Sequence, residues 1–232
     1  MGVDSRSKIL SRIKRGLSGT DNADRSGSEP IGQHIRHAVK HSRGKSFDTK
    51  LGQTNQSLIE MFTNELDKVD GQSKILNKED QVSDYLSDVT IQHNSKSCIV
   101  WETDLIKQLN IIEYLKSTNL RVIKSHHKKR LARADIGITE ADYAIADSGT
   151  LVLLSNPKQP RLVSLIAPIH IAILDSERIV PNIFDLFQIF TYKSEMSCIA
   201  FITGPSRTAD IELNLTLGVH GPKEVHILIY NK

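Results

Sequence analysis

In the first half of the chain, apolar residues alternate between helical and strand periods. Leu58, Ile59, Phe62, Leu66 and Val69 repeat at helical spacing, and Gly71 stops that helix. Residues 74–76 offer a short strand, and a helix around 79–86 leads to the S-C-I-V-W run of residues 97–101, which suits a buried strand. Asp104 caps a helix carrying Leu105, Leu109, Ile112 and Leu115 on one side, and residues 120–123 return as a strand. Strands alternating with helices predict an α/β fold with a largely parallel sheet covered on both faces.

The second half is richer in strands. Six of the seven prolines lie between Pro157 and Pro222, and two apolar runs, Y-A-I-A from Tyr143 and L-V-L-L from Leu151, flank D-S-G-T at residues 147–150. That arrangement predicts a hairpin with Gly149 at its turn. Residues 168–174 read as a strand carrying His170, and Pro181 opens a helix to Phe190 with Ile183, Leu186, Phe187 and Phe190 inward. Residues 198–203 form a strand that meets a Gly-Pro break at Gly204 and Pro205, and a helix is expected from about Arg207. G-V-H-G-P at residues 218–222 is a stop signal before a last strand at 224–230.

Charge separates the start of the chain from its body. Residues 1–50 hold eleven Lys/Arg against five Asp/Glu, whereas the remainder holds nineteen against twenty-two. Ile9, Leu10, Ile13 and Leu17 share one face of a short basic helix, and the Gly/Ser-rich stretch of residues 18–46 reads as a linker. The division expected is therefore a basic helix and flexible linker over residues 1–50, then a folded domain over 51–232. The basic helix suits a membrane surface, an acidic partner or packing on the domain, and without aromatic residues it offers no stacking platform for nucleic acid. No apolar run reaches the ~18 residues of a transmembrane helix, and residues 1–14 lack the apolar core of a signal peptide, so a cytoplasmic location is expected. Cys98 and Cys198 fall in separate apolar stretches and read as reduced thiols, which excludes an iron–sulfur cluster built by this chain alone. None of the nine histidines shows metal-ligand spacing, and residues 126–130 (H-H-K-K-R) read as a solvated basic loop.

Candidate chemistry gathers around two signatures. The F-I-T-G-P-S-R-T-A-D-I-E run from Phe201 places Thr203, Gly204, Pro205, Ser206, Arg207, Thr208 and Asp210 where a strand would give way to a helix. The free N–H groups of a helix start and the planar fork of Arg207 suit a carboxylate or phosphate. Alternatively, Arg207 and Asp210 form a surface pair worth only ~0.3–0.5 kcal/mol. Thr139, Glu140 and Asp142 precede the hairpin, and Asp147, Ser148, Gly149 and Thr150 form its turn. Asp147 and Glu140 are the candidate general bases or nucleophiles, with capping of the turn the alternative reading of Asp147. His170 reads as either a core residue or a ligand contact, and His220 as either a contact or a helix-end residue.

The ordered segments A-D-I-G-I-T-E-A-D-Y-A-I-A-D-S-G-T-L-V-L-L-S, P-x-H-I-A-I-L, F-I-T-G-P-S-R-T-A-D-I-E and L-G-V-H-G-P-K-E-V-H-I-L-I resemble the LUD-domain family of lactate-utilization proteins. The match is dense over residues 134–229 and looser back to about residue 50. It departs from the family in its longer, more polar basic start and in Asp147, where many relatives carry Glu. The resemblance implies a fold like that of glucosamine-6-phosphate deaminase, ribose-5-phosphate isomerase and the coenzyme A transferases. It also implies an accessory role beside iron–sulfur partner proteins that oxidise L-lactate to pyruvate, with the clusters held by the partners and no cofactor in this chain. Two further readings stay open: a stand-alone isomerase or transferase acting on a phosphorylated sugar or acyl-coenzyme A, and a binding module without catalysis. The chain is also open to forming a homo-oligomer.

Overall fold

The computed structural model describes residues 54–123, 131–190, 195–209, 215–217 and 221–231. The expected basic helix, the linker, the basic loop at 126–130, Asp210 and His220 lie outside these residues. Helix α1 (Asn55–Asp67) opens at Thr54, whose hydroxyl accepts the Ser57 N–H at 3.2 Å, and buries Leu58, Ile59, Phe62 and Leu66. It leads through Gly71 to β1 (Gln72–Leu76), α2 (Asp80–Gln92) and β2 (Ser97–Val100). The single helix expected from Asp104 is two, α3 (Asp104–Gln108) and α4 (Ile111–Ser117), followed by β3 (Arg121–Val122). Between the two helices Asn110 adopts φ 52°, a left-handed conformation that Asn tolerates better than most residues and that ends the first helix. Leu105, Leu109, Ile112 and Leu115 are nevertheless buried as their spacing predicts.

The later elements are β4 (Ile136–Ala141), β5 (Tyr143–Ile145), β6 (Thr150–Ser155), α5 (Leu162–Ile166) and β7 (Ile169–Asp175). They continue with β8 (Ile179–Val180), α6 (Ile183–Ile189), β9 (Cys198–Ile202), β10 (Arg207–Ala209), β11 (Leu215–Leu217) and β12 (Glu224–Tyr230). Six strands form one sheet in the order β1-β12-β7-β4-β2-β3, and every neighbouring pair is parallel. A second sheet, β8-β5-β6-β9, pairs β6 antiparallel to both β5 and β9. The α/β expectation and the hairpin at residues 147–150 both hold.

Two short crossings lead from the parallel sheet to the second one. Between β4 and β5 stands the single residue Asp142, whose N–H donates to Val152 O at 3.0 Å while its carboxylate accepts the Leu154 N–H at 2.7 Å. Between β7 and β8 the chain makes one 3-10 turn, Ser176–Arg178, capped by Asp175, which accepts the Glu177 N–H at 3.1 Å. These crossings place the end of β4 and Arg178 side by side.

Two expectations are corrected. The helix expected from Arg207 is strand β10, paired antiparallel with β11 through Arg207↔Leu217, so no helix start is formed there. Ser, Arg, Thr and Asp satisfy local helix-start rules, but antiparallel pairing with the apolar-alternating segment that follows overrides them. In α6, only Leu186 of the four residues expected inside is fully buried; Ile183 and Phe187 are 40% and 56% exposed. Two turns resting on the edge of a small sheet cover only a narrow stripe.

Candidate functional site

A cavity of about 1210 Å³ opens at the carboxyl ends of β2, β3 and β4. From β2 the chain continues to β3 on one side, and from β4 its next strand in the sheet is β7 on the other. The crevice between β2 and β4 is therefore a topological switch point, where open α/β sheets bind ligands. Trp101 and Thr103 follow β2, Glu140 and Asp142 end β4, Arg178 comes from the crossing after β7, and Asn156 to Pro160 close the side beyond β6. Trp101 is buried and its indole N–H donates to Pro160 O at 3.2 Å, tying the β2 end to that loop.

Glu140 and Arg178 form the charged centre of the cavity wall. Arg178 Nη1 donates to Glu140 Oε1 at 2.5 Å and lies 3.4 Å from Ala141 O. The Glu140 side chain is 11% exposed and that of Arg178 38%, so the pair sits at the boundary between core and cavity. Among the described residues no hydrogen bond engages the second oxygen of Glu140. The guanidinium keeps further N–H donors beyond the two contacts of Nη1. The lining also holds Lys107 and Lys158 against Glu102, Asp104, Asp142 and Glu195, so an incoming anion finds its favourable ground near the cations rather than across the whole wall.

The D-S-G-T and T-G-P-S-R signatures do come together, and helix α1 with the turn after it packs against both. Thr150 Oγ1 bonds Thr203 Oγ1 at 2.7 Å and Ser148 Oγ at 2.9 Å. Gly149, at φ 59°, lies against the backbone of α1, where an added Cβ would stand 2.5 Å from Leu66 N; Gly204, at φ 74°, would meet Val69 O at 2.6 Å. Both positions need glycine for their backbone angle and for this close approach. Arg207 is paired with Asp70, in the turn that follows the same helix, and not with an open helix start. Pro205 is buried, and Ser206 donates its N–H to Pro222 O at 2.8 Å. Asp147 is exposed, with its N–H on Pro181 O at 3.1 Å. Of the two candidate bases, Glu140 lines the cavity and Asp147 does not. Thr208 is placed in β10.

His170 is fully buried in β7, where its Nε2 and Thr139 Oγ1 are 2.9 Å apart. Burial, with a smaller contribution from His226, pushes its pKa down to about 3, so the ring is neutral. Neither His170 nor Thr139 lines the cavity. At the opposite, amino end of the sheet, Glu224 Oε2 lies 3.3 Å from both His93 Nε2 and His226 Nε2, and His226 Nδ1 is 2.9 Å from the Tyr85 hydroxyl. Burial lowers the pKa of His226 while Glu224 opposes the shift. Among the described residues no group of three or more His, Cys, Asp or Glu is arranged to hold a metal ion.

Sequence reasoning missed Arg178, Lys158 and the Trp101–Thr103 turn. For Arg178 and the Trp101–Thr103 turn the available signal was position, since they follow the parallel strands β7 and β2 and the strand-end rule is not confined to the T-G-P-S-R run; Lys158 follows β6 of the second sheet and carried no such signal.

Residues 59–230 match the LUD domain. Lactate utilization protein C of Halalkalibacterium halodurans is 32% identical over 185 residues, covering 76% of this chain and 80% of that one. Lactate utilization protein C of Macrococcus caseolyticus is 29% identical across 99% of this chain and 98% of its own. Among solved structures, a DUF162 family protein from Deinococcus radiodurans shares the fold with a TM-score of 0.55, at 16% identity over 77% of this chain and 99% of that one. Matched over most of its length and along every strand of the parallel sheet, the chain belongs to the LUD-domain family.

Proposed function

We propose that this protein is an accessory subunit of an L-lactate utilization system, binding a small organic acid in the cavity at the ends of β2 and β4. The observation that carries the reading is the Arg178–Glu140 pair set into the wall of a switch-point cavity. The lactate assignment is supported by the relatives named lactate utilization protein C. Arg178 holds the carboxylate of the acid through its free N–H groups, a charge-assisted contact of the strong kind. A three-carbon acid fills only a corner of about 1210 Å³, which leaves room for a partner to receive it.

Oxidation of lactate then takes place with iron–sulfur partner proteins, which take the two electrons. The residues of this chain do not fit a cluster of their own. It has two cysteines where a cluster needs about four thiolates, and burial pushes the Cys98 thiol up to about 12, against the thiolate form. A strain lacking the gene should grow poorly on L-lactate and normally on glucose, and wild-type copies should restore growth; unimpaired growth of the deletion strain would exclude the role. The second reading, an isomerase or transferase with Glu140 as base, draws on the same cavity placement. It requires turnover of a sugar phosphate or acyl-coenzyme A by the isolated protein.

A further inference from the structure

The geometry points to Glu140 as the residue that reads the 2-hydroxyl of the bound acid and so separates a 2-hydroxy acid from its 2-oxo product. This inference rests on the cavity being an organic-acid site, and it assigns the specificity of that site to one side chain.

Glu140 Oε1 is taken by Arg178 at 2.5 Å, and its second oxygen has no partner among the described residues. As the carboxylate partner of a guanidinium it only accepts hydrogen bonds. Arg178, beside it, only donates. The wall therefore presents a donor fork and an acceptor next to each other, both facing the cavity. A 2-hydroxy acid carries the complementary pair on adjacent carbons: a carboxylate that accepts from Arg178 and a hydroxyl that donates to Glu140. The 2-oxo acid has the same carboxylate but a second acceptor in place of the donor. Its keto oxygen would face the carboxylate of Glu140 with no hydrogen between them, which leaves a half-buried acceptor unpaired and two partial negative charges opposed. A site that hydrogen-bonds a substrate hydroxyl discriminates strongly against an analogue lacking it. Since Glu140 is bound to Arg178, it cannot swing away to avoid the mismatch without breaking that pair.

The test is a calorimetric titration of the full-length protein with sodium L-lactate, propionate and pyruvate, which share a three-carbon skeleton. The expected order of affinity is lactate, then propionate, then pyruvate, with lactate about tenfold or more tighter than pyruvate. In Glu140→Gln, whose amide oxygen can keep the bond to Arg178 while its NH2 donates, pyruvate should gain affinity and the ratio should fall to within about threefold. Pyruvate binding as tightly as lactate to the wild type, or an unchanged ratio in a Glu140→Gln protein that melts like the wild type, would overturn the assignment while leaving the acid site intact. Heats absent for all three acids would remove the acid site itself, and this inference with it. The order among the three acids on the wild type stands as evidence even if the variant does not fold.

Discussion

At the residue scale, two side chains at the same sheet show how burial decides chemistry. Glu140 reaches the cavity, whereas His170, on the neighbouring strand, is sealed in the core and bonded to Thr139. His170 is neutral when folded, at about 3, and titrates near 6.5 when released. Protonation therefore favours the unfolded chain, and stability present above about pH 6.5 is lost as pH falls toward 3. Between pH 7 and pH 5 this one ring should cost about 2 kcal/mol, read as a lower urea midpoint. His226 adds to the loss in the same direction. A His170→Gln variant should flatten the pH dependence, and an unchanged slope would show that other groups govern it.

The identity of His170 as a core residue was half legible: an apolar strand around it favoured burial, but sequence offers no view of the Thr139 hydroxyl that bonds its Nε2. Arg178 was not legible at all, because its partner Glu140 lies 38 positions earlier and the two meet only through the sheet crossing.

At the element scale, α1 is the clamp on which the second sheet closes. Leu66 is wholly buried and the turn at Gly149 presses on its backbone. Leu66→Ala should cost 2–5 kcal/mol, measured by denaturant unfolding. Gly149→Ala should cost about 2–4 kcal/mol, because it combines a left-handed backbone with a Cβ that has no room. A loss under about 0.5 kcal/mol would mean that the turn shifts freely away from α1. The hairpin flanking Gly149 was readable because two apolar runs and a turn sequence are local signals. The β10–β11 ribbon was read as a helix because the helix-start residue types Ser206, Arg207, Thr208 and Asp210 outweighed the strand signal of the segment that pairs with them through Arg207↔Leu217. The alternation of Leu213, Leu215 and Leu217 carried a period of two that favoured a strand.

At the scale of the whole molecule, the parallel sheet and the family were legible because helical and strand periods alternate in order and four signatures recur in sequence. The position of the cavity was not. The most distinctive signatures, D-S-G-T and T-G-P-S-R, build the joint between α1 and the second sheet, while the cavity takes its charge from residues at several strand ends. Distinctive sequence marked a demanding backbone, and the charged cavity followed topology. Among the described residues no helix is long and apolar enough to cross a membrane.

The central claim, that lactate utilization runs through the Arg178 cavity, is tested most directly by growth on L-lactate of a strain lacking the gene and supplied with variant copies. Wild type and Arg207→Ala should restore growth, since Arg207 makes an exposed pair with Asp70 worth at most about 1 kcal/mol. Arg178→Ala, present at wild-type levels and folded, should fail to restore it. Full growth with Arg178→Ala, or loss of growth with a folded Arg207→Ala alone, would contradict the account and move the site to the T-G-P-S-R signature.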